Sequence, residues 1–261
     1  MSRKALFFDI DGTLLSELTG QVPESTTRAF EKARRAGHLL FVNTGRTWAC
    51  LGKIKDLVEP DGWLCGCGTY VQAEGRDLYY RAMPEQQRKE VCRALEAANV
   101  DGILEGIGGC YVNSPDSRFE QGRGIRKAMA DITKTGDWSQ LSDPIEKFCF
   151  LADEASDFNG LLKEIQPEFQ VIDRGLGFYE CVPAGHSKAT AIDQVLEAYG
   201  LSLEDAYVFG DSTNDLPMFV HVPNAVLMGR HDKELEPYAS FVTKTVEEDG
   251  IWYAMEQLGL L

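Results

Sequence analysis

The stretch Ala5-Leu6-Phe7-Phe8-Asp9-Ile10-Asp11-Gly12-Thr13-Leu14 decides how the rest of the chain is read. Its four leading apolar residues predict a buried strand. At the strand's end Asp9 and Asp11 stand two apart, so their side chains point to the same side. Gly12 permits a sharp turn and Thr13 adds a hydroxyl. Such a carboxylate pair suits a divalent cation and leaves one carboxylate oxygen to attack an electrophile. The same letters also read as a β-hairpin, because Asp-Gly between apolar runs is a strong turn signal. A calcium loop fits poorly: an EF-hand wants Gly and Glu where Leu14 and Gly20 stand. Taken alone, the segment leaves hairpin and active site both open.

Working outward, strands alternate with helices. A helix is expected over 25–35, a strand over 39–42, a helix over about 48–58 and a strand over 63–65. This alternation predicts a parallel sheet with helices on both faces. The pattern then changes to a hairpin over 70–82, a long helix over 85–99 and short strands near 102–104, 109–112 and 147–151. A helix over 155–165 and strands at 170–172 and 177–182 follow. From Ser187 the first pattern returns, with Ala189, Ile192, Val195, Leu196 and Tyr199 on a helix, strands at 206–209 and 225–227 and a last helix over 247–258. The expected fold class is α/β: a Rossmann-like parallel-sheet core from 1–81 and 184–261, interrupted by an α+β cap domain at 82–183.

The 261 residues are enough for a substantial core, and 44% hydrophobic with 26% charged residues is the composition of a soluble globular protein. A net charge of −15 argues against nucleic acid or an anionic membrane as partner. No apolar run reaches the ~18 residues of a membrane span, and the first residues show no cleavable signal. The seven cysteines form no Cys-x-x-Cys pair, and Cys65-Gly66-Cys67 is too tight for a usual zinc knuckle. Reduced, mostly buried thiols and a cytoplasmic location are expected.

Three further segments bear on the chemistry. In Phe41-Val42-Asn43-Thr44-Gly45-Arg46-Thr47, a hydroxyl and a glycine at a strand end offer groups to a phosphate oxygen, though a helix cap with a turn glycine reads as well. In His186-Ser187-Lys188, a lysine at a helix start opposes the helix dipole, which hints at another purpose, yet a surface lysine is the default. In Gly210-Asp211-Ser212-Thr213-Asn214-Asp215, a strand again delivers carboxylates at its end, as a turn with an N-cap also would.

In this order, Asp9-x-Asp11-Gly12-Thr13, Thr44-Gly45-Arg46, Lys188 and Gly210-Asp211-x-x-Asn214-Asp215 closely resemble the haloacid dehalogenase superfamily of phosphatases. The insert resembles that of the branch with a large α/β cap, which includes many sugar-phosphate phosphatases. The resemblance implies magnesium-dependent hydrolysis of a small phosphate ester through an aspartyl-phosphate. It makes Asp9 the nucleophile and Asp11 the general acid and base. Thr44, Gly45, Lys188 and Asn214 would bind phosphate or substrate. Asp9, Asp211 and Asp11, the last through its backbone carbonyl, would hold Mg2+, with Asp215 behind them. The cap would select the leaving group. Tyr111, Asn113 and Tyr179 are polar or aromatic cap residues that either face substrate or serve the structure. The other readings are a phosphomutase of the same superfamily and a non-catalytic module binding a phosphometabolite. A monomer or weak homodimer is expected.

Overall fold

The computed structural model describes residues 2–261. Strands β1 (Ala5–Phe8), β2 (Leu39–Asn43) and β3 (Gly62–Cys65) are joined through helix α1 (Glu24–Arg35) and the short α2 (Ile54–Leu57). Strands β4 (Tyr70–Ala73) and β5 (Arg76–Tyr80) form a hairpin. Next come α3 (Glu85–Ala97), β6 (Asp101–Gly106), β7 (Gly109–Val112), α4 (Glu120–Ala128) and β8 (Thr133–Thr135). They lead to β9 (Lys147–Leu151), α5 (Phe158–Ile165), β10 (Phe169–Asp173) and β11 (Phe178–Pro183). The chain finishes with α6 (Lys188–Tyr199), β12 (Ala206–Gly210), α7 (Leu216–His221), β13 (Asn224–Leu227), β14 (Phe241–Val242) and α8 (Gly250–Gln257). These elements fall into two units. The first holds the chain up to Gly45 with Lys53–Tyr80 and Ser187–Leu261, and the second holds Arg46–Gly52 with Arg81–His186.

In the first unit, the described residues form an eight-stranded sheet in the order β14-β13-β12-β1-β2-β3-β4-β5. The strands from β14 to β3 are parallel, and β4 and β5 run antiparallel at one edge. Strands β1 and β2 are buried along their whole length, as their unbroken apolar runs require of strands covered on both faces. On one face Phe7 stacks on Phe41 at 5.2 Å and packs with Ala191, Ile192 and Val195 of α6. On the other, Phe8 meets Phe30 of α1 at 4.8 Å and Phe209 of β12 at 4.5 Å. Each such ring, fully buried, contributes roughly 1.5–3 kcal/mol. Strand β1 pairs in parallel with both β2 and β12, so the hairpin reading of Asp11-Gly12 is wrong. Strand order reverses between β1 and β12, and such a switch point opens a crevice at the carboxyl ends of the strands.

The single helix expected over 48–58 is instead a 3-10 turn, Trp48–Leu51, followed by α2. Gly52 separates them with φ of 55°, a left-handed value that ends the helical run.

The described residues of the second unit form a six-stranded sheet in the order β10-β11-β9-β6-β7-β8, antiparallel except between β7 and β8. Helices α3 and α5 cover one face, where Leu95, Leu161 and Ile165 pack with Leu104, Phe148, Phe150 and Cys181. The side chains alternating with these, including Glu105, Cys110, Lys147, Cys149 and Glu180, belong to the other face. There Ile103, Cys110 and Val112 pack with Cys50, Ile125, Met129 and Ile132. Helix α4 was not expected from the sequence. It contains Gly122 and Gly124, poor helix formers, and is tied down by a buried Arg126–Asp101 ion pair at 2.5 Å. No helix among the described residues is long and apolar enough to cross a membrane.

Candidate active site

Asp9 is the first residue past β1. Its amide donates to the Phe209 carbonyl at 3.0 Å, and its side chain is buried. Lys188 opens α6, and its position follows from the cap before it. The Thr190 amide donates to Ser187 Oγ at 3.3 Å while the Ser187 amide donates to Thr190 Oγ1 at 3.0 Å. Asn43, at the end of β2, donates through Nδ2 to the Lys188 carbonyl at 2.9 Å and adds a second anchor. So held, Lys188 Nζ donates to Asp9 Oδ1 at 2.6 Å and to Asp215 Oδ1 at 2.5 Å, with its side chain fully buried.

Asp211 follows β12, and Thr13 Oγ1 donates to its Oδ1 at 2.9 Å. Asp215 Oδ2 accepts the amides of Asp211 at 2.9 Å and Ser212 at 3.2 Å, which fixes the loop between them. Gly12 runs close past Asp211: a Cβ there would lie 2.3 Å from Asp211 Oδ2, and φ is +79°. Only glycine fits this approach.

Asp9, Lys188, Asp211 and Asp215 therefore come together. Oxygens of Asp9, Asp211 and Asp215 lie within 4.8 Å of one another. Asp11 is half-buried beside them in sequence, in a turn closed by a bridge to Leu15 and by the Gly12 amide donating to the Leu15 carbonyl at 3.0 Å. Thr44 is buried directly beyond β2, its amide donating to the Leu64 carbonyl at 2.8 Å, and Gly45 follows it. Asn214 sits on the turn Thr213–Asp215 and accepts the Ser212 hydroxyl at 2.8 Å. Sequence reasoning gave no role to Asn43 or to the Thr13 hydroxyl. The one signal for Asn43 was an amide side chain ending an otherwise apolar strand.

Three carboxylates against one ammonium leave the cluster two positive charges short. Burial pushes the Asp9 carboxyl up to about 7, with Lys188 pulling it down and the Asp215 charge adding to the rise. Burial, then the Asp9 and Asp215 charges, push Asp211 up to about 8. Burial acts to lower the Lys188 pKa, but Asp215 and Asp9 together outweigh it and hold the ammonium above its ordinary range. A divalent cation supplies the missing charge, and an all-oxygen donor set suits magnesium better than zinc. The residues present fit such an ion.

This geometry has relatives. The sequence model of a family described as haloacid dehalogenase-like hydrolase matches residues 6–255. The Bacillus subtilis (strain 168) protein YkrA is 29% identical over 280 residues, spanning all of both chains. Pyridoxal phosphate phosphatase YbhA of Escherichia coli (strain K12) is 25% identical over 276 residues, covering 96% of this chain and 97% of that protein. The solved structure of the HAD subclass IIB sugar phosphatase BT4131 superposes with a TM-score of 0.83 at 29% identity, over 99% of this chain and all of that one. With a buried carboxylate, lysine and acidic loop at the switch point of its sheet, the chain belongs to the haloacid dehalogenase-like hydrolases and is a phosphoric monoester hydrolase.

Proposed function

We propose that this protein is a magnesium-dependent phosphatase of small phosphorylated metabolites, sugar phosphates foremost, working through an aspartyl-phosphate on Asp9. The observation that carries this reading is the buried Lys188 ammonium bridging Asp9 and Asp215 beside Asp211. The preference for sugar phosphates rests on the likeness to BT4131. The seven free thiols, all described, suit a reducing cytoplasm.

Asp9 attacks phosphorus in line, and the bond from phosphorus to the ester oxygen breaks. Asp11 gives its proton to the leaving oxygen, then takes one from the water that attacks the aspartyl-phosphate. That second displacement breaks the bond from phosphorus to Asp9 and releases inorganic phosphate. Lys188 holds Asp9 Oδ1 and places positive charge beside the transferred group. The Thr44 hydroxyl and the Gly45 amide bind phosphate oxygens, and Asn214 contacts phosphate or the Lys188 network. Asp9 and Asp211 would hold Mg2+ together with the Asp11 carbonyl, and Asp215 would steady both the lysine and the loop. The ion supplies charge screening between the Asp9 carboxylate and the phosphate dianion.

The test is phosphate release by purified protein across sugar, nucleotide, flavin and pyridoxal monophosphates, with magnesium and with excess chelator. Turnover of sugar phosphates that stops on chelation and returns with magnesium is expected. Undiminished turnover in chelator would rule out the metal, and preference for another ester class would replace the substrate.

A further inference from the structure

The second unit contains a polar cluster that the chemistry above does not use. Cys50 Sγ lies 3.5 Å from Cys110 Sγ and accepts a hydrogen bond from Thr47 Oγ1 at 3.1 Å. Glu105 stands beside them, its Oε1 accepting the Cys149 thiol at 2.8 Å and its Oε2 at 4.0 Å from Cys50 Sγ. Lys147 lies 3.7 Å from Glu105 and also pairs with Glu180. Cys110, on β7, is fully buried, whereas Cys50, in the segment 46–52, is partly exposed.

We propose that Cys50 and Cys110 are a thiol pair that a peroxide converts into a disulfide, fixing the segment 46–52 onto β7 and slowing turnover. The two sulfurs are already in contact, and a bond at about 2.0 Å needs a side-chain shift of roughly 1.5 Å. Other pairings are disfavoured by placement: Cys149 is held by Glu105, and Cys181 belongs to the helix-covered face.

Cys50 reacts first, because it is the accessible partner and because the Thr47 hydroxyl donates to its sulfur. The contact with the Cys110 sulfur lowers the Cys50 pKa and raises that of Cys110. The Glu105 charge opposes ionisation of Cys50, and Lys147 partly offsets it. The Cys50 thiolate attacks one oxygen of hydrogen peroxide, the O–O bond breaks, and a sulfenic acid forms with loss of water. The Cys110 sulfur then attacks Cys50 Sγ, the S–O bond breaks, and the hydroxide leaves as a second water with the Cys110 proton. Two thiols lose two electrons in total, and one peroxide becomes two waters.

Cys50 lies six positions after Thr44, and the chain on either side of 46–52 belongs to the first unit. A disulfide would fix the packing of 46–52 on β7, and any step of turnover that needs this segment to move would slow. The activity arm of this inference rests on the phosphatase reading, whereas the disulfide arm does not.

The experiment treats the full chain with hydrogen peroxide, maps peptides by mass without reductant, and follows kcat before and after dithiothreitol. A linked Cys50–Cys110 peptide is expected, with a severalfold loss of kcat that reductant restores. Cys110→Ser and, where that variant folds badly, Cys110→Ala should keep basal turnover and lose the reversible response. Absence of the linked peptide, or its presence with unchanged kcat, overturns the proposal. So does a reversible loss of the same size in the Cys110 variants. Untreated protein that turns over no ester would instead overturn the phosphatase reading, and peptide mapping would still decide the disulfide.

Discussion

Lys188 Nζ meets Asp9 Oδ1 at 2.6 Å across 179 positions of chain. Asp215 sits at 2.5 Å on the ammonium's other side, so a fully buried cation is shared between two anions. The Asp9 contact ties the proposed nucleophile to the return of the chain, and it makes catalysis and folding depend on the same atoms.

Lys188→Ala should therefore fail twice. Removing one partner of a buried ion pair costs about 3–5 kcal/mol, because the charge left behind has no compensation. Turnover should drop for every phosphate ester alike, and the urea midpoint should fall. A variant with wild-type stability would contradict the role given to the bridge.

Asp9→Asn should separate the two properties. Turnover is expected to fall by orders of magnitude, since a required catalytic group is gone. In metal-free protein the fold should be at least as stable as wild type, because one of three mutually repelling carboxylates has been neutralised while Lys188 keeps Asp215 as its partner. Circular dichroism melts alongside phosphate release would show it; retained full activity would end the covalent mechanism.

Stability without metal should depend on pH through Asp9 and Asp211. Their folded pKa values, about 7 and about 8, lie above the ordinary carboxylate value, so the folded state holds protons that the unfolded chain has released. This contribution is full below about pH 4 and is lost as pH rises through the folded values. In chelator, Tm should fall between about pH 4 and about pH 8 and level off above that. Saturating magnesium should flatten that fall, and its binding near neutrality should release protons measurable by calorimetry in buffers of different ionisation heat. A flat profile in chelator would remove the basis for this claim.

Gly12→Ala should displace Asp211. The added methyl would collide with the carboxylate, and the left-handed backbone at Gly12 adds strain of about 1 kcal/mol or more. Magnesium should be needed at higher concentration for half-maximal rate. An unchanged magnesium requirement would mean that Asp211 does not hold the ion.

Much of this was legible because the core strands announce themselves. β1, β2 and β12 are apolar runs ending in polar residues, and a parallel sheet buries such runs on both faces. The break at Gly52 was not legible. A glycine within a helical run costs only about 1 kcal/mol, so spacing alone cannot tell interruption from tolerance. Helix α4 escaped notice because its glycines hide the pattern and its anchor, Asp101, lies 25 positions away. Asn43 and the Cys50–Cys110 contact act across 145 and 60 positions, a range at which local spacing says nothing.

The sheet order also sets a timetable for synthesis. β1 is made before the second unit, yet its neighbour on one side, β12, is made after the whole of it. At about 5–20 residues per second, translation leaves that edge of β1 without its partner for roughly 10–40 seconds. The exposed edge is the very apolar run whose burial later drives the core together, which makes the nascent chain a template for aberrant pairing during that interval. The second unit, complete at His186, has its own strands in hand before β12 appears. Chaperone dependence in this protein should accordingly trace to β1, whose partner arrives only after the whole second unit.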